Sequence, residues 1–242
     1  MVDFSSYKAI ILAGGRGTRL YPVTYEIPKP LLPVKRKPII NYLVNLFLDQ
    51  GIKDIAVLIN NDFREEFDWW KKRYYPEDIK NNFKINFFEE AEPLGTFGGI
   101  WNLKQWIGNS PFFLTNGDEL KKIDLGKMAV FHAENQVLAT IALVSVPNPQ
   151  DYGVAICEGN FIKEFLEKPK NPPSNYINSG LYLFSPKILN DYTSPKFIMV
   201  EKDVFPNLAK KQKLAGFKFS GAWTDCGNFA RWENAIKSWQ EN

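Results

Sequence analysis

Residues 8–30 read KAIILAGGRGTRLYPVTYEIPKP. An apolar run, AIILA, stops at two glycines. A third glycine, two arginines and a lysine set between prolines follow. A continuous apolar stretch of this length reads as a parallel strand covered on both faces. Gly14, Gly15 and Gly17 allow a tight turn and close approach to a ligand. Successive backbone N–H groups in such a turn form a concave nest for phosphate oxygens. Arg16 and Arg19 add forked cations that pair with phosphate. Lys29 is held between Pro28 and Pro30, whose fixed φ lowers the entropy cost of placing it. Ligands of open α/β sheets bind beyond the carboxyl ends of the strands. The loop is therefore read as wrapping a polyanion. The dinucleotide pattern G-x-G-x-x-G does not fit, because its last glycine is missing and cations intrude. The pattern G-x-x-x-x-G-K-[ST] is absent too.

Outward from this loop the chain alternates. Residues 37–50 (KPIINYLVNLFLDQ) carry helical apolar spacing, with Pro38 at the start and Gly51 at the stop. Residues 54–60 read as a second strand, 63–75 as a charged amphipathic helix and 84–88 as a third strand. Residues 97–107 read as a helix and 112–115 as a fourth strand ending at NGD. This β-α-β-α-β-α-β order predicts an α/β chain with a doubly wound, mixed and mainly parallel sheet. The second half is less regular, with strands expected at 137–146, YGVAIC, FIKEFLEK and INSGLYLFS, and helices at 200–211 and 229–239. No repeat or linker is visible, so one domain spanning 1–242 is expected. Its first half, about residues 8–120, is of nucleotide-binding type, and its second half, about 121–242, is irregular. The Trp69–Trp70 pair reads as core and rim packing.

Composition removes several classes. With 242 residues, 45% of them hydrophobic, the chain can bury a large core. A net charge of +3 argues against a general nucleic-acid binder. Cys157 and Cys226 form neither a disulfide framework nor a zinc pattern, which suits a reducing compartment and a cytoplasmic location. His132 stands alone with no nucleophile motif and reads as an ordinary helix-surface histidine. No run approaches a membrane span and no signal segment opens the chain. The chemistry is left to carboxylates, cations, backbone amides and a hard metal ion.

LAGGRGTRLYPVT followed by IPKPLLPV resembles the signature of the sugar-1-phosphate nucleotidyltransferases, which make NDP-sugars from an NTP and a sugar 1-phosphate. EEAEPLGTFGG, TNGDEL, YGV, EKP, INSGLY, EKDVFP and WTDCGN follow in the family's order. The resemblance implies the family's Rossmann-like fold and places Leu12, Ala13, Gly14, Gly15, Arg16, Gly17, Thr18 and Arg19 on the nucleotide, with the loop on its β- and γ-phosphates. It makes Arg19 and Lys29 catalytic through the reacting phosphate and the leaving pyrophosphate. Asp118 and Asp225 become the catalytic carboxylates that share one Mg²⁺, a hard cation that prefers oxygen. Glu90, Leu94, Gly95, Thr96, Asn116 and Gly117 join the nucleotide site. Gly153, Glu167, Lys168, Asn178 and Gly180 take the sugar phosphate. The implied reaction is in-line attack on the α-phosphorus by an oxygen that is already anionic. It rests on positioning and charge neutralisation.

EPLGT, YGV, EKP, INSGLY and EKDVFP are most similar to the mannose-1-phosphate guanylyltransferases, with heptose-phosphate enzymes close by. A carboxylate at Glu90 accepts only, and guanine presents two adjacent donors, N1–H and N2–H. GTP is therefore the expected nucleotide. UTP or dTTP with a glucose 1-phosphate stays open, as does a non-catalytic NDP-sugar-binding regulatory subunit. Relatives of that last kind lose the loop arginine or the aspartates, which are all here. Cys226 stands where the family has isoleucine or threonine, and Phe97 where it has a small residue. The left-handed β-helix that follows this domain in many relatives is not expected, nor is an attached acetyltransferase. No nucleic-acid or membrane partner is expected, and a homodimer is left open.

Overall fold

The structure is a computed structural model describing residues 2–76, 82–90, 92, 94–191, 194 and 196–240. In chain order its main elements are β1 (Lys8–Leu12), α1 (Ile39–Asp49), β2 (Asp54–Asn60), α2 (Arg64–Tyr74), β3 (Lys84–Glu90), β4 (Phe112–Asn116), β5 (Glu119–Lys121) and α3 (Leu125–Asn135). Then come β6 (Ala139–Ser145), β7 (Gly153–Glu158), β8 (Phe161–Glu167), β9 (Tyr176–Phe184), α4 (Phe205–Lys210), β10 (Leu214–Lys218), β11 (Trp223–Asp225) and α5 (Phe229–Ser238). They group into two compact units. The first holds Lys8–Pro93, Thr115–Lys122 and Ala222–Asn242. The second holds Met1–Tyr7, Leu94–Leu114 and Ile123–Gly221. The last twenty-odd residues thus group with the loop-bearing part of the chain rather than with the irregular second half.

In the first unit β1, β2 and β3 run parallel, with Lys8 opposite Asp54, Leu12 opposite Leu58 and Asn60 opposite Glu90. Ala9, Ile10 and Ile11 are fully buried, as are Ile55, Ala56, Val57 and Ile59. Such runs are tolerated only where both sheet faces are covered. Helix α1 buries Ile39, Ile40, Leu43, Val44 and Phe47 on one stripe. Trp70 is buried and donates from Nε1 to Asn41 Oδ1 at 2.8 Å, joining α2 to α1. Trp69 is 70% exposed, so the tryptophan pair divides into one core and one rim residue. A short antiparallel ladder sets Glu119 opposite Asp225 and Lys121 opposite Trp223. Asn228 caps α5 by accepting from the Arg231 N–H at 3.0 Å, a satisfied orphan donor. Beneath this ladder Leu20, Leu32, Val34, Ile39, Leu120, Cys226, Ala235 and Trp239 form one apolar cluster. Cys226 is wholly buried there, which explains why a small apolar side chain is accepted at that position.

In the second unit the strand order is β9-β6-β10-β8-β7. Strands β6 and β10 are parallel; β9 with β6, β10 with β8, and β8 with β7 are antiparallel. The helix expected over 97–107 is three short turns, Gly95–Gly98, Gly99–Leu103 and Lys104–Ile107. Glycines at 95, 98 and 99 break continuous helix, since each costs about 1 kcal/mol relative to alanine. The segment at 200–211 starts as a wide turn, Val200–Val204, and tightens into α4. No helix among the described residues is long and apolar enough to cross a membrane.

His132 lies on α3 and is half-buried rather than fully exposed. Its Nδ1 sits 2.8 Å from Thr140 Oγ1. Burial lowers its pKa to about 4. The folded value lies below the unfolded one, so the unfolded chain binds the extra proton first. This contribution is present above about pH 6.5 and is lost as pH falls toward 4. The full effect is on the order of 3 kcal/mol. His132→Gln, which cannot titrate, should lose less stability on acidification than wild type. Urea midpoints at neutral and acidic pH check this; equal acid losses would rule out the histidine as the cause.

Candidate active site

Strand β1 ends at Leu12, and the Ala13 N–H closes the last rung on Leu58 O at 2.7 Å. The chain then leaves the sheet. The backbone N–H groups of residues 14–17 have no hydrogen-bond partner among the described residues. Gly17 has φ +63°, a left-handed conformation that favours glycine. Thr24 Oγ1 donates to Gly17 O at 2.9 Å and fixes the loop from beneath. Thr24 was not singled out in the sequence, although its place six residues after Thr18 in the same motif offered the clue. Gly15, Arg16, Thr18 and Arg19 are exposed. The loop therefore presents amides and two guanidinium groups to solvent at a strand's carboxyl end, as an anion-binding nest requires.

Lys29 is buried between its prolines and paired with the Asp118 carboxylate. Asp118 follows Gly117 in the turn after β4. The Gly117 N–H donates to Leu12 O at 2.9 Å. A Cβ at Gly117 would collide with that same carbonyl, so only glycine lets the turn sit against the end of β1. The Cys226 N–H donates to Asp118 O at 2.8 Å, tying the turn to the segment that carries Asp225. Asp225 Oδ1 accepts from the Gly227 N–H at 2.9 Å and from Arg231 at 3.2 Å. The Arg19 guanidinium lies against Gly227, about where a Cβ there would come within 3.5 Å. Loop, lysine and both aspartates therefore belong to one unit and one neighbourhood. Arg231 is an addition with no signal in the residue pattern.

Glu90 ends β3. Its Oε2 would lie 3.1 Å from a Cβ on Gly14. Its Oε1 is buried with no partner among the described residues, an arrangement that costs about 1–3 kcal/mol unless a ligand supplies a donor. Burial pushes the carboxyl pKa up to about 7. Glu89 pairs instead with Arg64 on the outside of the strand. The Asn116 side chain is turned inward and donates to Glu119 Oε1 at 2.9 Å.

In the second unit the Thr96 hydroxyl is committed locally. It donates to Glu201 Oε2 at 2.8 Å and accepts from the Val200 N–H at 2.8 Å. Leu94 and Gly95 flank it, with Gly95 packed against Ile198 O. Gly153 lies beside Glu167, which pairs loosely with Lys168 at 3.7 Å; both charged side chains reach solvent. Asn178 Nδ2 donates to the Tyr182 hydroxyl at 2.8 Å, and its Oδ1 accepts from the Gly180 N–H at 2.9 Å. Glu201 was not singled out from sequence. Burial raises its pKa, and it feels the charges of Glu167 and Lys168.

Residues 8–242 match the family model described as Nucleotidyl transferase. The chain belongs to the nucleotidyl transferase family. It is 36% identical over 225 residues to a mannose-1-phosphate guanyltransferase of Schizosaccharomyces pombe, covering 91% of this chain and 61% of that protein. It is 35% identical over 223 residues to the mannose-1-phosphate guanylyltransferase catalytic subunit beta of Drosophila melanogaster, covering 91% and 59%. The chain thus spans less than two thirds of these relatives' length. Among solved structures it resembles HddC from Yersinia pseudotuberculosis, with a TM-score of 0.81, 30% identity and coverage of 96% and 98%. HddC has also been solved complexed with GMP-PN.

The donor chemistry of this nucleotidyl transferase fits a hard divalent cation. Asp118 and Asp225 offer oxygen only. The neighbouring Cys226 side chain is wholly buried in the apolar cluster, and burial first, then the two aspartates, push its thiol pKa up to about 12. Among the described residues no group of three or more His, Cys, Asp or Glu could hold a metal by itself. A cation here would complete its shell with phosphate oxygens and water, which is the habit of Mg²⁺.

Proposed function

We propose that the protein transfers a guanylyl group from GTP to a mannose- or heptose-type sugar 1-phosphate, releasing pyrophosphate. The observation that carries this reading is the unpaired amide loop of residues 14–17 in one unit with Lys29, Asp118 and Asp225. The amides and Arg16 hold the β- and γ-phosphates. Arg19 and Lys29 take up charge as the bond from the α-phosphorus to pyrophosphate breaks. Asp118 and Asp225 would hold Mg²⁺, which supplies charge neutralisation at the phosphates. Gly153, Glu167, Lys168, Asn178 and Gly180 orient the sugar phosphate, whose anionic oxygen attacks the α-phosphorus. No general base is required, because the nucleophile arrives deprotonated. Leu94, Gly95 and Thr96 border the base, with the Thr96 hydroxyl acting through Glu201.

The guanine reading rests on Glu90. An ionised carboxylate with a buried, unpartnered oxygen answers the paired N1–H and N2–H donors of guanine. Those donors favour the charged form, while burial opposes it in the free protein. GTP binding should therefore strengthen as pH rises toward 7 and level off above it. Glu90→Gln should remove this dependence and weaken the preference for guanine. The difference in GTP dissociation constants between wild type and variant, taken between about pH 6 and pH 8, cancels the titration of the γ-phosphate itself. A constant difference would remove Glu90 from base recognition.

The reading as a whole is tested by pyrophosphate release over a grid of NTPs and sugar 1-phosphates. Turnover confined to GTP with a mannose- or heptose-type substrate is the expected result. Turnover with UTP or dTTP and glucose 1-phosphate would overturn the base and sugar assignments. NDP-sugar binding without turnover at saturating Mg²⁺ would overturn catalysis and favour a regulatory subunit.

A further inference from the structure

Behind the two aspartates lies a buried ion pair that the reaction itself does not use. Glu119 follows Asp118 in the chain and lies directly opposite Asp225 across the β5–β11 ladder. Its side chain is almost completely enclosed, and that of Lys121 is wholly so. Glu119 Oε1 accepts from Asn116 Nδ2 at 2.9 Å. Its Oε2 accepts from Lys121 Nζ at 3.2 Å and from Trp223 Nε1 at 3.0 Å. Lys121 Nζ also donates to Thr115 Oγ1 at 3.1 Å. The carboxylate therefore joins three places: the end of β4, the strand β5 and the strand β11. Two of these carry the aspartates at their ends. Both oxygens of Glu119 are taken, so it is no third metal ligand.

A buried ion pair is a poor source of net stability, since desolvation offsets the attraction. In some proteins such pairs instead fix a specific arrangement. Two like-charged carboxylates facing each other across a ladder, Glu119 and Asp225, would repel unless a cation sat among them. Lys121 meets that need at Glu119 and Arg231 meets it at Asp225. Trp223 adds a rigid strut, because its indole N–H reaches across the ladder to a single oxygen. We infer that the Glu119–Lys121 pair, braced by Asn116 and Trp223, is a positioning element that fixes the spacing of Asp118 and Asp225 for a divalent cation. This rests on the metal role proposed for those aspartates. Groups that orient metal ligands typically change metal affinity by about 10–100-fold when removed.

The test uses Mn²⁺ with inorganic tripolyphosphate, a probe that asks nothing of the base, with binding read from the metal's electron paramagnetic resonance spectrum. The double variant Glu119→Leu/Lys121→Met removes both charges together and leaves no orphaned ion. It should weaken the Mn²⁺ complex about tenfold while leaving the affinity for metal-free tripolyphosphate unchanged. Glu119→Gln/Lys121→Met restores an acceptor for Asn116 or Trp223 and should recover most of the affinity. If the Leu/Met variant does not fold, Trp223→Phe, which removes one donor to Glu119, should still weaken the Mn²⁺ complex selectively. Binding of the Mn²⁺ complex at wild-type strength by a folded Leu/Met variant or by Trp223→Phe, while Asp118→Asn loses it, would overturn the positioning role alone. If Asp118→Asn also binds like wild type, or wild type does not bind, the metal reading fails and this inference with it.

Discussion

Asp118→Ala should lower kcat at least about 100-fold with the fold intact, the scale of removing one preorganised electrostatic stabiliser. Asp118 lies in a turn held by the Gly117 N–H on Leu12 O and the Cys226 N–H on Asp118 O. Both are backbone bonds that the substitution spares. The side chain pairs with Lys29. Its loss leaves that buried lysine without its carboxylate, so a drop in stability is expected beside the kinetic loss. Because the carboxylate would hold a cation over the phosphates, raising Mg²⁺ should recover little of the rate. Near-normal kcat in a folded Asp118→Ala protein would move the metal site elsewhere. Circular dichroism and steady-state kinetics over a Mg²⁺ series decide the matter.

Arg19→Ala should be nearly as damaging, about 100-fold in kcat, with almost no cost in stability. Arg19 is exposed and its guanidinium lies close to Gly227 beside Asp225. In the proposed reaction a cation there would meet charge that grows as pyrophosphate leaves. The loss should therefore fall on kcat more than on the KM for the nucleotide. Arg19→Lys keeps the charge but not the fork, and should recover only part of the rate. A defect confined to KM would make Arg19 a binding group and not a participant in the transition state.

The core of this arrangement could be read from residue types. The runs at 8–13 and 54–60 are apolar because both sheet faces are covered, and the glycines and cations after the first run form the exposed loop at its end. Other parts had weaker signals. Residues 97–107 carry apolar spacing, but Gly95, Gly98 and Gly99 divide the segment into short turns. A helix at His132 is implied in the sequence without bounds, although Asp124 caps α3 by accepting from the Lys127 N–H at 2.8 Å. The ladder of β5 and β11 joins segments a hundred residues apart, so pairing Glu119 with Trp223 or Asp225 with Arg231 had no local signature. The Asn116 and Thr96 side chains, both read as nucleotide contacts, are held by Glu119 and Glu201. Hydrogen-bond commitment of that kind depends on tertiary neighbours and not on sequence spacing.

The most direct test of the central claim is a crystal structure of the protein with Mg²⁺ and a non-hydrolysable GTP analogue. The β- and γ-phosphates should lie within hydrogen-bond reach of the amides of residues 14–17 and of Arg19, with the ion at about 2.1 Å from oxygens of both Asp118 and Asp225. A triphosphate bound away from that loop, or an ion touching neither aspartate, would contradict it.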